Sequence, residues 1–245
     1  MNDGFINEKE LREYINSNSY DNYNPNIKDF LSFVFEDNFN ANLPFFAEKK
    51  CGQVKPDLVI THNGIKKLIS IKKGSGNSVH QEKIDVFFPF VENLFDTENL
   101  NYLKKFHYGD GTINDSGSVR YGANECKKIY STEISKLNRI FNQWDKLKIF
   151  LDRFLFVGNV SSATVDIVYH GTIDEGLWAT RDEILNYVKN SHFPLNALHF
   201  GPLTYQVWGR NEKRTAVHPD RRYIMQVKWG SITKDLKEIR RMNNV

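Results

Sequence analysis

The feature that most restricts the fold of this chain is an Asn-Gly pair at positions 63 and 64, which lies between two apolar runs. The run before it reads VKPDLVITH, and the run after it reads IKKLISIKKG. Asn-Gly favours a two-residue turn because both central positions need a positive φ, so the two runs are predicted to be the strands of a β-hairpin. A turn of this length pairs His62 with Ile65, and the numbers of opposed residues then sum to 127.

The predicted hairpin brings three polar side chains together at the end away from its turn. In this register Asp57 lies opposite Ser70, with Cβ atoms roughly 4.5–5.5 Å apart. Because side chains alternate between the two faces of a strand, Lys72 shares the face of Ser70, whereas Ile69 and Ile71 point into a core. A strand end with a purely structural role seldom needs this combination, so we expect a functional site here. The alternative is a surface hairpin whose lysine is solvated.

The segment after the hairpin, GSGNSVHQEKIDVFF at 74–88, predicts a helix. Ser78 followed three residues later by Gln81 is a capping box. The first turn of this helix holds Glu82 and leaves the same end of the strand, so we expect its carboxylate near Asp57. Two carboxylates and a backbone carbonyl suit a hard divalent cation, and the glycine-rich bend with the helix start suits a phosphate.

Pro56-Asp57 and, after a short gap, Ser70-Ile71-Lys72 form a two-part pattern. This pattern resembles the motif of the PD…(D/E)xK nuclease superfamily, which includes many type II restriction endonucleases. The resemblance extends over residues 27–95. It implies an α/β fold with a restriction-endonuclease-like core, in which a central mixed β-sheet is flanked by helices.

In that family, the aspartate and the acid of the second motif hold magnesium, and the lysine serves the attacking water. This chain has Ser70 in the position of the second acid. A subset of restriction enzymes carries a small residue there and the acid on the following helix, and Glu82 matches that relocated position. The resemblance therefore implies that Asp57, Glu82 and the carbonyl of Ile71 bind Mg2+ and that Lys72 positions or activates water.

Some members of the family carry a further acid upstream. Two residues match it, Glu36 on the helix before the sheet and Glu48 on the preceding strand. We expect a single nuclease domain over 1–245, with its catalytic core at about 27–95 and with residues 125–245 completing the sheet and contacting DNA. Apolar patterns predict further strands at RFLFVGN, TVDIVYHGT, LTYQVWGRN and RRYIMQVKWG, and helices at EKELREYINS, NIKDFLSFVFEDNF, TRDEILNYVKN and SITKDLKEIRRM.

Two groups of residues are predicted to contact DNA. Lys73, Ser75 and Asn77, beside the proposed site, would contact phosphates. The segment Leu203–Val245 carries ten basic and four acidic residues, and its basic loop connects two predicted strands. Arginines in such a loop contact phosphates or guanine edges, although a solvated loop is the simpler alternative. The candidates there are Arg210, Arg214, Arg221 and Arg222.

Composition is compatible with these expectations without deciding between them. The chain has 245 residues, a formal net charge of +3 and a pI near 8.7, which suits a nucleic-acid partner weakly. Cys51 and Cys126 form no CxxC pair, so neither a zinc ribbon nor a disulfide framework is predicted. Because the first residues lack the apolar core of a signal peptide and no apolar run is long enough to cross a bilayer, we expect a cytoplasmic protein with no membrane partner.

The function expected from the resemblance is that of a type II restriction endonuclease. It would hydrolyse phosphodiester bonds of double-stranded DNA with Mg2+, as a homodimer on palindromic sites. Two alternatives stay open. One is a structure-specific repair or junction nuclease of the same fold, and the other is a DNA-binding protein that is inactive because Ser70 replaces the acid.

Overall fold

The computed structural model of the chain describes residues 3–52, 54–74, 78–160, 163–193, 197–210 and 217–243. Ser75, Asn77 and Arg214, which were predicted to contact DNA, lie outside the described residues. None of the described helices is both long and apolar enough to cross a membrane.

Groups of consecutive helices and groups of consecutive strands follow one another along the chain, in an α/β arrangement. In the described part of the chain, the α-helices are α1 (Asp3–Ser17), α2 (Pro25–Phe35), α3 (Ile84–Glu92), α4 (Thr97–Tyr108), α5 (Ala123–Ile129), α6 (Ser131–Phe141), α7 (Trp144–Leu151), α8 (Arg181–Asn190) and α9 (Ile232–Asn243). The strands are β1 (Phe45–Lys49), β2 (Leu58–His62), β3 (Ile65–Lys72), β4 (Ser78–Lys83), β5 (Ile167–Gly171), β6 (Gly176–Thr180), β7 (His199–Phe200), β8 (Leu203–Val207) and β9 (Ile224–Lys228).

The chain forms two compact units, and the first contains the predicted hairpin. It consists of residues 1–77, 151–190 and 231–245. Its five strands form a mixed sheet in the order β1-β2-β3-β5-β6, in which β3 and β5 are parallel and the other neighbours antiparallel. The predicted central mixed sheet flanked by helices is therefore confirmed at this level.

The core of the first unit lies between one face of this sheet and the helices α1 and α2. Helix α2 begins where the sequence pattern predicts, because Asn24 accepts a 2.9 Å hydrogen bond from the N–H of Ile27 and Pro25 occupies the first helical position. Its apolar residues then recur at helical spacing and are buried. They pack with residues of the sheet in one cluster that includes Ile27, Phe30, Leu31, Leu58, Ile60, Ile69, Ile71 and Tyr169.

The second unit consists of residues 78–150 and 191–230. It contains a four-stranded antiparallel sheet in the order β4-β9-β8-β7, together with helices α3 to α7, of which α7 ends one residue beyond the unit. Aromatic side chains fill much of its core; the rings of Phe150 and Phe200, for example, have centroids 4.4 Å apart. Strands β8 and β9 confirm two of the predicted strands, and a short 3₁₀ helix at Pro219–Tyr223 precedes β9.

Two predictions of secondary structure are wrong. The run RFLFVGN is not a strand, because residues Asp152–Phe156 form a π-helical turn directly after α7. Its buried apolar residues are continuous with those of that helix, and a short apolar run does not by itself distinguish a strand from a buried helix.

The second wrong prediction is a helix starting at Ser78. Residues Ser78–Lys83 form strand β4, which pairs with β9, and the helix begins at Ile84. The side chains of Ser78 and Gln81 still approach each other, at 3.5 Å, but the backbone there is extended. Pairing with a strand distant in sequence outweighed the local capping signal.

Candidate active site

The β2–β3 hairpin positions the candidate site. Asn63 and Gly64 have φ values of 49° and 74°, as a turn of the predicted type requires. The opposed pairs run from Leu58 with Ile69 to His62 with Ile65, so the predicted register is confirmed over the whole of β2. At Asp57 the ladder departs from that register, because its N–H donates a 2.8 Å bond to the carbonyl of Ile69.

The side chain of Asp57 nevertheless reaches the residues that the register predicted. Its Oδ2 accepts hydrogen bonds from the Ser70 hydroxyl at 3.1 Å, from the Ile71 N–H at 2.6 Å and from Lys72 Nζ at 3.2 Å. Among the described residues, none donates a hydrogen bond to Asp57 Oδ1. Three donors thus hold one carboxylate oxygen in place, and the other oxygen is available to a ligand.

Access from solvent differs between the members of this cluster. Ser70 is buried, whereas the side chains of Lys72 and Asp57 are 18% and 22% exposed. Lys72 Nζ also donates to the carbonyl of Ile71, at 3.0 Å, so the carbonyl predicted to bind a metal is occupied by the lysine. The lysine and the aspartate are therefore the two members that a substrate could reach.

A second carboxylate, which the sequence analysis missed, belongs to Glu8, and its pKa is affected by the charges of Asp57 and Lys72. Burial and the negative charge of Asp57 raise the pKa of Glu8, while the positive charges of Lys72 and Lys49 lower it, with a net upward shift. Glu8 lies on α1, three residues before the buried Leu11. A charged residue on the buried stripe of an amphipathic helix was the signal that would have identified it.

Two asparagine side chains attach α1 to the sheet. The Asn7 amide donates a 2.8 Å hydrogen bond to the carbonyl of Gly171 at the end of β5. The Asn16 side chain donates to the carbonyl of Ala47 on β1 and accepts from its N–H, both at 2.8 Å. Contacts at two points along α1 fix the position of Glu8 relative to the strands that carry Asp57 and Lys72.

His170 is a further residue of this region that the sequence analysis did not single out. It is paired with Lys72 in the parallel β3–β5 register, so the two side chains leave neighbouring strands on the same face of the sheet. Its ring bonds to the backbone of Gly74, and its buried Nε2 has no hydrogen-bond partner among the described residues. Burial lowers the pKa of His170, which favours a neutral ring beside the lysine.

The acid that the sequence analysis assigned to the site belongs to the second unit. Glu82 is in strand β4 of the second unit, not in the first turn of a helix, whereas Asp57 belongs to the first unit. The Glu82 carboxylate is buried and lies 3.2 Å from Nε2 of His80. Its predicted role as the relocated metal ligand stays a prediction.

The two candidates for an upstream acid occupy different parts of the first unit. Glu48 is exposed on β1 and is paired with Val59. Glu36 begins a short 3₁₀ helix after α2 and lines a cavity of about 330 Å³ together with Lys67 and Arg181. Neither has a hydrogen bond or ion pair with the Asp57 cluster, and Lys73 at the end of the hairpin is exposed.

The described arginines predicted to contact DNA are engaged within the second unit. Arg210 donates to Cys126 Sγ at 2.8 Å and to the carbonyl of Phe106 at 2.6 Å. Arg222 forms an ion pair with Asp115. The remaining candidate, Arg221, lies over the ring of Trp208, 4.4 Å from its centroid. These contacts give each arginine a structural role, and their DNA contacts stay predictions.

Comparison with protein families and with curated proteins adds nothing to the description of this site. The sequence matches no model of a protein family and no curated protein. Among the residues that the structure describes, no group of three or more His, Cys, Asp and Glu side chains is arranged to hold a metal ion. The chemistry must therefore be argued from the Asp57 cluster and Glu8.

Proposed function

We propose that this protein is a Mg2+-dependent nuclease that hydrolyses phosphodiester bonds of double-stranded DNA. The observation that carries the proposal is the contact of Lys72 Nζ with Asp57 Oδ2, which the Ser70 hydroxyl and the Ile71 N–H also approach. An acid and a lysine held side by side at a partly exposed strand end are the groups that such a reaction needs.

Two carboxylates, those of Asp57 and Glu8, would supply oxygen ligands for a hard divalent cation. Carboxylate oxygens are the ligands that Mg2+ prefers, and Asp57 Oδ1 accepts no hydrogen bond from a described residue. Burial and the neighbouring charge of Asp57 raise the pKa of Glu8, and a bound cation would relieve both effects. Asp57 and Glu8 would hold the ion, which would offset the negative charge that develops on the phosphate during hydrolysis.

Lys72 has the role of orienting the reacting groups. Its ammonium group is fixed by two acceptors, the Asp57 carboxylate and the Ile71 carbonyl. The lysine side chain therefore needs to reorganise little when substrate binds. From this position it donates a hydrogen bond to the attacking water or to a phosphate oxygen. Ser70 is a positioning residue, because it is buried and acts through Asp57.

Positive charge around the site favours a polyanionic substrate. Lys49 and Lys50 at the end of β1 and Lys73 after β3 are exposed, and the N–H of Lys50 donates to the carbonyl of Asp57 at 3.1 Å. We propose a restriction-endonuclease-like arrangement for the first unit and a type II restriction activity. A homodimer would match the twofold symmetry of a palindromic site.

A second candidate function is DNA binding without cleavage. It is favoured by the serine in the position of the second acid and by the lack, among the described residues, of a three-residue metal cluster. The two candidates differ in one property, which is whether DNA is cut when a divalent cation is present.

The deciding experiment is digestion of long unmethylated DNA by the purified protein with Mg2+ or Mn2+, followed by sequencing of the ends. We expect discrete fragments with a common end sequence. Asp57→Ala and Lys72→Ala should abolish cutting while DNA binding, measured by a mobility-shift assay, is retained. Lys66→Ala is the matched control, since Lys66 is an exposed lysine of the same strand.

Each other result has a clear meaning. Binding without cutting by the wild-type protein would establish the second candidate function. Cutting that depends on branched or damaged structure rather than on sequence would indicate a repair or junction nuclease. Full activity of the Asp57→Ala variant would reject this site.

A further inference from the structure

The second unit contains a cavity that has no part in the proposed nuclease site. It has a volume of about 740 Å³ and is bordered by α3, α4 and the 3₁₀ helix at Pro219–Tyr223, with a wall from the loop at Ile113 and Asn114. A volume of this size is within the usual range for small-molecule sites. All of its lining residues belong to the second unit.

Three aromatic rings line the cavity and are held in place. The rings of Phe88 and Tyr108 are nearly perpendicular, with centroids 6.1 Å apart and an interplanar angle of 78°. The third ring, that of Tyr223, is 42% exposed, and its hydroxyl donates a 2.7 Å hydrogen bond to Asp115. Rings that are fixed in this way offer flat apolar surfaces to a planar ligand at low entropic cost.

Charged side chains also line the cavity, and they have no ion-pair partners in the described part of the chain. Lys83, Asp85, Glu92, Lys104 and Asp220 all border it, and none of them forms a salt bridge with a described residue. Lys104 Nζ lies 5.8 Å from the centroid of the Phe88 ring, which brings a cation next to an aromatic surface. Arg210 and Arg222 of the same unit, by contrast, are engaged by protein groups.

Helix α3 contains a backbone carbonyl, that of Asp85, without its usual helical hydrogen bond. Pro89 lies inside the helix and has no N–H, so the carbonyl of Asp85 lacks the helical hydrogen bond that residue 89 would otherwise donate. Both residues line the cavity. Asp85 thus offers its carboxylate to a ligand with N–H or O–H donors, and its backbone carbonyl is a second acceptor that the helix does not use.

We propose that this cavity binds a nucleotide. The base lies against Phe88, Tyr108 and Tyr223, where aromatic surfaces accept the face of any base. Lys83 and Lys104 bind the phosphate, and Asp85 accepts hydrogen bonds from amino or hydroxyl groups of the ligand. A ligand that is planar, anionic and rich in donors uses the three rings, both lysines and Asp85, whereas a simple anion or an apolar molecule uses only some of them. The site is independent of the nuclease proposal.

Calorimetric titration of the full-length protein with the four deoxynucleoside monophosphates tests this inference. Deoxyribose 5-phosphate and inorganic phosphate are the probes without a base. We expect at least one nucleotide to bind and to raise Tm, with base-free probes binding much more weakly. Asp57→Ala should bind the nucleotide as the wild type does. Nucleotide binding can then be judged separately from cleavage at the proposed nuclease site.

Three variants complete the test. Lys104→Ala should weaken binding of the nucleotide about tenfold, as expected for the loss of one charged hydrogen bond. Lys105→Ala, the neighbouring lysine outside the cavity, should leave the affinity unchanged. Ile113→Trp, at a position that is 41% exposed and therefore tolerant of a larger side chain, should obstruct the cavity next to the aromatic rings and weaken binding.

Two outcomes would overturn the proposal. One is that no nucleotide binds at millimolar concentration, or that phosphate binds as tightly as the nucleotides do. The other is that Ile113→Trp, with an unchanged Tm, binds the nucleotide as the wild type does.

Discussion

The side-chain amide of Asn7 donates a 2.8 Å hydrogen bond to the carbonyl of Gly171, across 164 positions of sequence. Asn7 is 1% exposed, and Gly171 is the last residue of β5. Glu8 follows directly in α1, and its pKa responds to the charges of Asp57 and Lys72. One buried amide therefore links the position of the second carboxylate to the end of the sheet.

Asn7→Ala should destabilise the protein and lower the proposed cleavage activity. The substitution leaves the Gly171 carbonyl without its donor, and we expect a loss of about 1–3 kcal/mol in the free energy of unfolding. Urea unfolding and the cleavage rate measure the two effects. Asn18→Ala is the control, because the Asn18 amide bonds only to the carbonyl of Tyr14, four residues earlier. Equal effects of both variants would show that the contact with β5 is unimportant.

The acids Glu8 and Glu82 can be compared directly. If Glu8 is the second metal ligand, Glu8→Gln should lower the cleavage rate by about 100-fold or more, and a higher Mg2+ concentration should restore part of it. Glu82→Gln, Glu36→Gln and Glu48→Gln should leave the Mg2+ dependence unchanged. The measurement is the cleavage rate as a function of Mg2+ concentration. A changed Mg2+ dependence in Glu82→Gln with none in Glu8→Gln would favour the relocated acid predicted from the sequence.

Asn16→Ala should expose the edge of the first sheet. β1 is an edge strand, and the Asn16 side chain bonds both the N–H and the carbonyl of Ala47. Without these bonds, the N–H and carbonyl of Ala47 can pair with a strand of another chain, so we expect self-association that depends on concentration. We also expect a loss of about 1–3 kcal/mol in the free energy of unfolding. Sedimentation velocity and urea unfolding are the measurements. Asn22→Ala, which removes an exposed contact with Ser19, should change neither.

Acid should destabilise the second unit through His107. Burial lowers the pKa of His107 from 6.5 to about 3, and its ring bonds to the Tyr205 hydroxyl and the Arg222 carbonyl, near the charges of Arg210 and Arg222. Because His107 takes up a proton more readily in the unfolded chain, the stability of the fold that depends on its neutral ring is fully present above pH 6.5. This stability is lost as the pH falls from 6.5 toward about 3. We expect a loss on the order of 4 kcal/mol over that range.

The measurement for His107 is the free energy of unfolding between pH 7 and pH 4, compared with that of His107→Gln. The variant should be less stable at pH 7 and should show a shallower loss as the pH falls. Exposed His218 provides the control substitution, His218→Gln, which should keep the slope of the wild type. A slope that is unchanged in His107→Gln would contradict the assignment.

Local signals in the sequence were sufficient for several elements of this fold. The turn at Asn63 and Gly64 determined the hairpin and its register, because a two-residue turn leaves one way to pair the strands. The helix predicted at TRDEILNYVKN is present as well, as α8, and it starts with reciprocal hydrogen bonds between Thr180 and Glu183. In these cases the decisive contacts join residues a few positions apart.

Tertiary structure decided what lies around the hairpin. Residues 78–83 became a strand because β9, whose residues are some 140 positions away, supplies pairing partners that no local pattern reveals. For the same reason Glu8, on a helix, approaches the charges of Asp57 and Lys72, while Glu82 is paired with His80 in the other unit. The sequence by itself determined the hairpin that holds an aspartate beside a lysine, because its contacts are short-range. The identity of the second carboxylate depends on packing between distant segments, and only the folded chain brings those together.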